Sequence, residues 1–229
     1  MLEDIHQQII SCTRCRRLRA YCAQVAREKK AAHRDDVYWG KPVPGFGDPN
    51  ARLLVLGLAP AAHGANRTGR VFTGDGSGDF LMRAMHSSGF ANIATSQHAS
   101  DGLTLTDAFI TAAVRCAPPD NKPTVSERDT CAPWLNRELS LLAPQLRVVV
   151  ALGAYGWAGA LRGLAAAGYA VPRPRPRFAH AAQVVLASDD HEVRLLGCYH
   201  PSQHNTFTGR LTPAMLDDVL GAARELAGP

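Results

Sequence analysis

Three polar segments of the chain carry side chains that could bind or react. The first, GLAPAAHGANRTGRVFTGDGSGDF at positions 57–80, holds His63, Asn66, Arg67, Arg70 and Asp75 among its glycines. The second, RCAPPDNKP at 115–123, holds Asn121, and the third, HPSQHNTFTGR at 200–210, runs from His200 through Ser202, His204 and Asn205. A loop beyond about 12–15 residues inside a compact domain is usually functional or disordered. As far as Asp75, the first segment offers backbone N–H groups, two arginines and one carboxylate. That set suits a site holding an anionic backbone beside a small neutral group. The competing reading is a solvated loop in which Asp75 caps the following helix.

Two phosphate motifs come close in this segment and fail. Gly64 and Gly69 have the glycine spacing of a P-loop, but the Lys and Ser/Thr that engage phosphate and Mg²⁺ are missing. Gly74 and Gly76 begin a dinucleotide fingerprint, yet Asp79 occupies its third glycine position. Both a P-loop NTPase and a nicotinamide dehydrogenase are therefore disfavoured.

The six cysteines form a second source of chemistry. Cys12 and Cys15 make a C-x₂-C pair, while Cys116 and Cys131 are distant singles. Four thiolates can hold a zinc ion or an iron–sulfur cluster. A zinc ribbon would show two close pairs, and this chain has one. Cys22 is a rival ligand, and Cys198, inside an apolar run, reads as buried and inert. The basic residues around the pair, Arg14, Arg16, Arg17, Arg19, Arg27, Lys29 and Lys30, read either as a solvated helix side or as a phosphate-facing patch.

These groups need elements to position them. Residues 3–32 read as a cysteine-containing helical leader. Apolar runs at 53–58, 108–114, 148–152 and 193–199 read as buried strands, with a further strand at 183–187. Helices are expected over 77–88, with Ser77 as cap, within 126–143, where Pro133 starts or kinks the helix, from 153 to about 167, and after Thr212, with Pro213 at the first position. Strands alternating with helices predict an α/β fold, a mostly parallel sheet covered on both faces. In such sheets ligands bind beyond the carboxyl ends of the strands, where all three polar segments begin. The stretch PRPRPRF at 172–178 reads as an extended basic arm or a solvated loop.

Composition sets the outer limits. The chain has 229 residues, 46% hydrophobic and 20% charged, enough to bury a core and too apolar for general disorder. We expect one domain over 1–229, with residues 1–35 as the leader. The net charge of +5 tilts the chain toward anionic partners. The N-terminal residues lack a signal-peptide pattern and no stretch has the length of a membrane span, so a cytoplasmic protein is expected, where thiols stay reduced.

Taken together, GLAPAAHGANRTGRVFTGD at 57–75, RCAPPDNKP at 115–123, HPSQHNTFTGRLT at 200–212 and the four cysteines resemble the uracil-DNA glycosylase superfamily, specifically its family 5 (type B) enzymes. The resemblance runs from the C-x₂-C pair to the final helix. It implies a three-layer αβα fold with a four-stranded, mostly parallel core sheet. It also implies a 4Fe–4S cluster on Cys12, Cys15, Cys116 and Cys131, and hydrolysis of the base–sugar bond of uracil in DNA. Hypoxanthine and ethenocytosine are further bases that such enzymes accept. The partner implied is double-stranded, uracil-containing DNA, met by a monomeric, nucleoid-associated protein with no membrane contact. A non-catalytic damaged-DNA binder of the same fold is the alternative.

The resemblance also distributes roles. His200 would donate to the uracil O2, Asn121 would read the base edge, and Phe72 would stack on the everted base, with Gly57 and Ala59 beside it. Superfamily members commonly carry a catalytic carboxylate or polar group just after the first strand's glycine. Here Leu58 and Ala59 stand there, and neither can do acid–base work. Asp75 is the candidate to replace it. His63, Asn66, Arg67, Ser202, His204 and Asn205 would contact DNA or shape the pocket, with residues 202–206 entering the duplex.

Overall fold

The computed structural model describes residues 1–228. In chain order these form α1 (Leu2–Ile10), α2 (Arg16–Glu28), β1 (Phe46–Gly47), β2 (Leu53–Gly57), α3 (Ala65–Thr68), α4 (Gly76–Ser87), β3 (Ala108–Ala112), α5 (Val125–Leu142), β4 (Val148–Leu152), α6 (Gly153–Ala166), β5 (Gln183–Ala187), β6 (Glu192–Cys198), α7 (Gln203–Phe207) and α8 (Pro213–Ala227), with 3₁₀ turns at Ala31–His33 and Pro119–Asn121.

The sheet order is β1-β3-β2-β4-β6-β5. Its four central strands, β3, β2, β4 and β6, pair in parallel. Antiparallel β1 and β5 extend the two edges, so the core of four becomes a sheet of six, with β5 where the sequence offered a further strand and β1 beyond what it signalled. Period-two alternation sorts the strand side chains between two helical layers. On one face Leu53, Val55, Val148 and Val150 pack with Leu81 and Met85 of α4 and Leu216 and Leu220 of α8. On the other, Leu54, Leu56, Val149 and Ala151 pack with Leu135 and Leu139 of α5 and Trp157 and Leu161 of α6. Because β2, β3, β4 and β6 are parallel, their carboxyl ends lie along one edge. The three polar segments leave the sheet there.

Local chemistry sets the helix boundaries. Thr124 and Glu127 form a reciprocal capping box that starts α5, so Pro133 neither begins that helix nor ends it; it sits inside. Thr212 caps α8 and Pro213 takes its first position, as expected. The cap of α4 is Asp75, not Ser77, whose N–H donates to the Asp75 carboxylate. The helical leader is two helices broken at the C-x₂-C turn, because residues 12–15 leave the helical conformation. Among the described residues no helix is long and apolar enough to cross a membrane.

A third apolar cluster joins the leader to the sheet. Ile5, Ile9, Leu18 and Cys22 pack on Val114, Cys116, Cys131 and Trp134. Beneath it lies a charged pair sealed from solvent. Arg115 is 1% exposed and Glu138 0%, and the guanidinium donates to the carboxylate at 2.6 Å. Thr111 Oγ1 and the Gly45 N–H also donate to Glu138. Removing one partner of such a pair leaves an uncompensated buried charge. Glu138→Ala should therefore lose about 3–5 kcal/mol of stability, read by urea unfolding. Replacing both residues, as Arg115→Met with Glu138→Leu, should lose less than Glu138→Ala alone, and an equal or greater loss would show that the pair acts through more than its charge.

Candidate active site

The carboxyl end of β2 is Gly57, and its missing side chain makes room for an aromatic ring. A Cβ at Gly57 would stand 2.9 Å from Phe72 Cε2. Phe72 itself adopts a positive φ of 48°, a conformation uncommon for a bulky residue and found where the surroundings over-determine it. The ring so held lies beside His200, just beyond β6, with centroids 5.8 Å apart and planes tilted by 33°. Two segments 128 positions apart in sequence thus meet at one sheet edge.

His200 is half-buried, and burial pushes its pKa down to about 4. It is therefore a neutral imidazole at physiological pH. Among the described residues neither ring nitrogen has a hydrogen-bond partner, so the ring is not spent on the backbone. Its own carbonyl accepts from Asn205 Nδ2 at 2.8 Å, which ties the strand end to α7.

Asp75 stands at the mouth of α4, where its Oδ1 accepts from the N–H groups of Ser77 and Gly78 at 2.9 and 3.0 Å. The cap role and a chemical role are compatible, because Oδ2 accepts no hydrogen bond among the described residues. Burial raises the Asp75 pKa, and the two backbone donors pull it back down. Gly64 gives this carboxylate its space, since a Cβ there would fall on Asp75 Oδ2. The next residue, Gly76, lies against Gln203 of the third segment, whose Nε2 is 3.3 Å from where a Cβ would be. The first and third segments therefore pack together around Phe72, Asp75 and His200.

The other expected residues divide into exposed and internal ones. Asn121 follows β3 on the 3₁₀ turn with a positive φ of 55°, exposed and with its amide unpartnered among the described residues. No ring contact or hydrogen bond joins it to Phe72 or His200. His204 is exposed on α7, and Ser202 accepts from Asn205 N as the α7 cap. His63 faces the hydroxyl of Tyr38 at 3.0 Å. Ala59 packs against the cysteine-containing cluster. Asn66 and Arg67 were expected to meet DNA or shape the pocket, and both are turned inward. Asn66 is fully buried, with its amide donating to the carbonyls of Cys22 and Ala62. Arg67 donates to the His63 and Gly74 carbonyls and to Asp36, which folds the loop around its guanidinium. These are struts of the loop. Arg70 acts likewise, buried against Asp101, Ser96 and Thr73.

The four cysteines expected to act together line one cavity, with Arg14, Arg19 and Trp134 at its wall. Cys22 is outside that lining, and its thiol points to the Ala117 carbonyl at 3.6 Å. The Arg115 N–H donates to Cys131 Sγ at 3.3 Å, the kind of support a thiolate ligand receives. Burial pushes the Cys131 pKa up to about 12 and raises Cys15, which the neighbouring thiols raise further. Yet among the described residues no three His, Cys, Asp or Glu side chains are grouped to chelate a metal ion. Zinc holds sulfur at about 2.3 Å, so its ligands must crowd one point. The four thiols that line the cavity are a sulfur-only donor set, the kind that takes either zinc or an iron–sulfur cluster. The basic patch is partly engaged, with Arg17 paired to Glu127 at 2.7 Å and Arg14 lying 4.7 Å over Trp134.

One residue escaped the sequence reading. Phe207 ends α7 with 82% of its surface exposed, an aromatic side chain one residue beyond the 202–206 segment expected to enter a duplex. Periodicity offered no signal for it, because α7 is only five residues long.

Comparison with known proteins bears on the whole chain. The family model of the uracil DNA glycosylase superfamily matches residues 44–224. A Type-5 uracil-DNA glycosylase of Mycobacterium bovis is 53% identical over 225 residues, covering 98% of this chain and 81% of that protein. One from Thermus thermophilus is 47% identical over 226 residues, covering 99% and 98%. One from Pyrobaculum aerophilum is 42% identical over 226 residues, covering 99% and 93%.

The depressed pKa of His200 has a thermodynamic consequence. Between the ordinary histidine value of 6.5 and about 4, the unfolded chain takes a proton that the folded chain refuses. The stability difference between the wild type and His200→Gln should therefore shift in favour of the variant as pH falls from 7.5 to 4.5, measured by urea unfolding at both values. A difference independent of pH would mean that His200 titrates normally in the fold.

Proposed function

This chain belongs to the uracil DNA glycosylase superfamily, and from that premise we propose that it removes uracil from DNA by hydrolysing the bond between base and sugar. The near full-length similarity to proteins named for that reaction supports the reading. The observation that carries it within this chain is the pairing of Phe72 with a neutral, unpartnered His200 at the carboxyl edge of the sheet.

A base stacked in a duplex is out of reach, so it must first be everted. Phe72 would then supply a flat apolar face for the base, against the floor that Gly57 opens. The exposed amide of Asn121 offers one donor and one acceptor, the pair needed by uracil O4 and N3–H. Breaking the glycosidic bond leaves negative charge on the base and positive charge on the sugar. A neutral imidazole at His200 would donate to the uracil O2, and that bond would strengthen as the charge develops. A charged imidazolium would bind anions before reaction as well as during it and so discriminate less between the two. Asp75 would use its free Oδ2 to orient water toward the sugar and to stabilise the sugar cation. Water adds to the sugar carbon as the base departs, and the extra proton of the water passes to the carboxylate or to solvent. Phe207 would occupy the space the everted nucleotide leaves. With Leu58 and Ala59 offering no polar group to the base, acceptance of hypoxanthine and ethenocytosine belongs to the same reading. So does action on double-stranded DNA by a monomer.

Cys12, Cys15, Cys116 and Cys131 would hold a 4Fe–4S cluster. Hydrolysis needs no electron transfer, so the group would act as a cross-link between the segments that carry its ligands. These four residues belong to the α1–α2 turn, the exit of β3 and α5, and their shared ligation would brace the leader against the loop that carries Asn121. Anaerobically purified protein should be brown and contain iron with no stoichiometric zinc. A colourless, zinc-loaded protein would overturn this assignment.

Oligonucleotides carrying uracil, hypoxanthine or ethenocytosine test the activity directly, with base release read as alkali-labile strands. Release is expected from uracil, and Asp75→Ala should lower the saturated single-turnover rate at least tenfold, about 1.4 kcal/mol or more of transition-state over ground-state binding, while changing DNA affinity by less than about threefold. Binding of uracil-containing duplex without release would leave the chain a damaged-DNA binder. Equal losses in rate and affinity would remove Asp75 from the chemistry.

A further inference from the structure

The segment at 172–178, PRPRPRF, takes no part in the site described above, and its build is unlike that of a solvated loop. Arg173, Arg175 and Arg177 are exposed, and among the described residues none of the three has an acidic or hydrogen-bonding partner. Three like charges on alternate residues repel one another, and a free loop would relax by swinging them apart. This one is fastened. Trp157 Nε1, from α6, donates to the Pro176 carbonyl at 2.9 Å. The Phe178 ring meets Trp157 and Tyr199 edge-on, at 6.1 and 6.2 Å between centroids. Tyr199 is the residue before His200, and it carries His180 stacked at 4.9 Å and the Arg210 guanidinium at 4.7 Å from its ring. The anchors that hold the segment thus run to Tyr199, the residue before the candidate catalytic imidazole.

We propose that this proline–arginine ridge grips the phosphate backbone of duplex DNA beside the everted nucleotide. The proposal rests on the glycosylase reading for its substrate and adds a surface that the reading does not contain. Prolines at 172, 174 and 176 restrict the backbone before binding, which removes much of the ordering entropy that a flexible basic loop would lose on contact. The three arginines stand close together on one exposed segment, so their guanidinium groups can meet neighbouring phosphates of one strand. The planar fork of arginine matches phosphate oxygens in pairs. The contact is to the backbone, so it carries register and affinity with no sequence preference.

The test compares the wild type with the triple variant Arg173→Gln, Arg175→Gln, Arg177→Gln, and with the corresponding triple Lys variant. The probe is a fluorescent 30-base-pair duplex with one central G·U pair. Affinity is read by anisotropy from 50 to 200 mM salt, and base release by single-turnover assay at saturating protein. Each lost phosphate contact reduces the slope of log K against log salt by about 0.9, so the Gln variant should bind with a slope about 2 to 3 less steep. Its saturated base-release rate should match the wild type, and the Lys variant should recover most of the slope. An unchanged slope in the Gln variant overturns the ridge, as it would if the segment served an acidic protein partner. A slope lost equally in the Gln and Lys variants would also overturn it, because charge would then not be the cause. If the wild type binds the duplex and releases no base, the glycosylase reading falls while the slope comparison still decides the ridge.

Discussion

The site depends on one close approach, that of the Phe72 ring to the α-carbon of Gly57. A side chain at Gly57 would displace the ring, and the ring is what lies against His200. The long first segment is arranged round that contact. Two of its glycines make room for side chains. Gly57 admits the Phe72 ring, and Gly64 admits the Asp75 carboxylate. A glycine-rich loop can therefore mean tight packing of side chains against backbone as readily as it means a nest for an anion. The failure of the P-loop and dinucleotide fingerprints in this segment follows from that different use.

The electrostatic layout is two-zoned. At the centre the imidazole of His200 is neutral because burial holds its pKa near 4. One carboxylate, Asp75, is held by two backbone donors against the desolvation that raises its pKa. Formal positive charge is pushed outward, to exposed arginines such as Arg173, Arg175, Arg177 and Arg210. The interior arginines are neutralised in place, Arg70 by Asp101 and Arg115 by Glu138. Such a division suits a polyanionic ligand whose reacting part is neutral. Long-range attraction is sequence-blind and acts at the rim, whereas discrimination needs short, uncharged contacts at the centre.

Much of this was legible in the chain itself. The four core strands are short apolar runs bounded by glycine, proline or polar residues, and each was found where its run lies. The Thr212–Pro213 start of α8 is a local signal and was read correctly. What could not be read was the direction of polar side chains. Asn66 and Arg67 have the composition of ligand-binding residues, yet they satisfy carbonyls of their own loop and, for Asn66, of α2. Only tertiary placement distinguishes an arginine that meets a ligand from one that replaces missing secondary structure. The two-residue β1 and the five-residue α7 are too short to express a hydrophobic period, and Phe207 was hidden with α7. Asp75 took the cap of α4 from Ser77 because its carboxylate reaches two N–H groups at once.

The same distinction explains why the leader is integral to the site and not an appendage. Cys116 and Asn121 leave β3 on one loop, and Arg115, at the start of that loop, is locked to Glu138 of α5 and donates its N–H to Cys131. The carbonyl of Arg115 accepts from Val43, and Glu138 accepts from Gly45, so the strand-like 43–47 segment is fixed by the same pair. His6 of α1 stands 3.8 Å from the other face of that carboxylate. A single buried ion pair therefore joins α1, the 43–47 segment, β3 and α5, directly behind the cysteine-lined cavity. Burying two charges is costly, and a hydrophobic substitute would often be as stable. What an apolar pair could not supply is direction. The two oxygens of Glu138, which accept from Arg115, Thr111 and Gly45, and the Arg115 guanidinium, which reaches both Glu138 and Thr111, specify where each element sits, and hence which way the β3 exit loop carries Asn121 toward the sheet edge that holds Phe72 and His200.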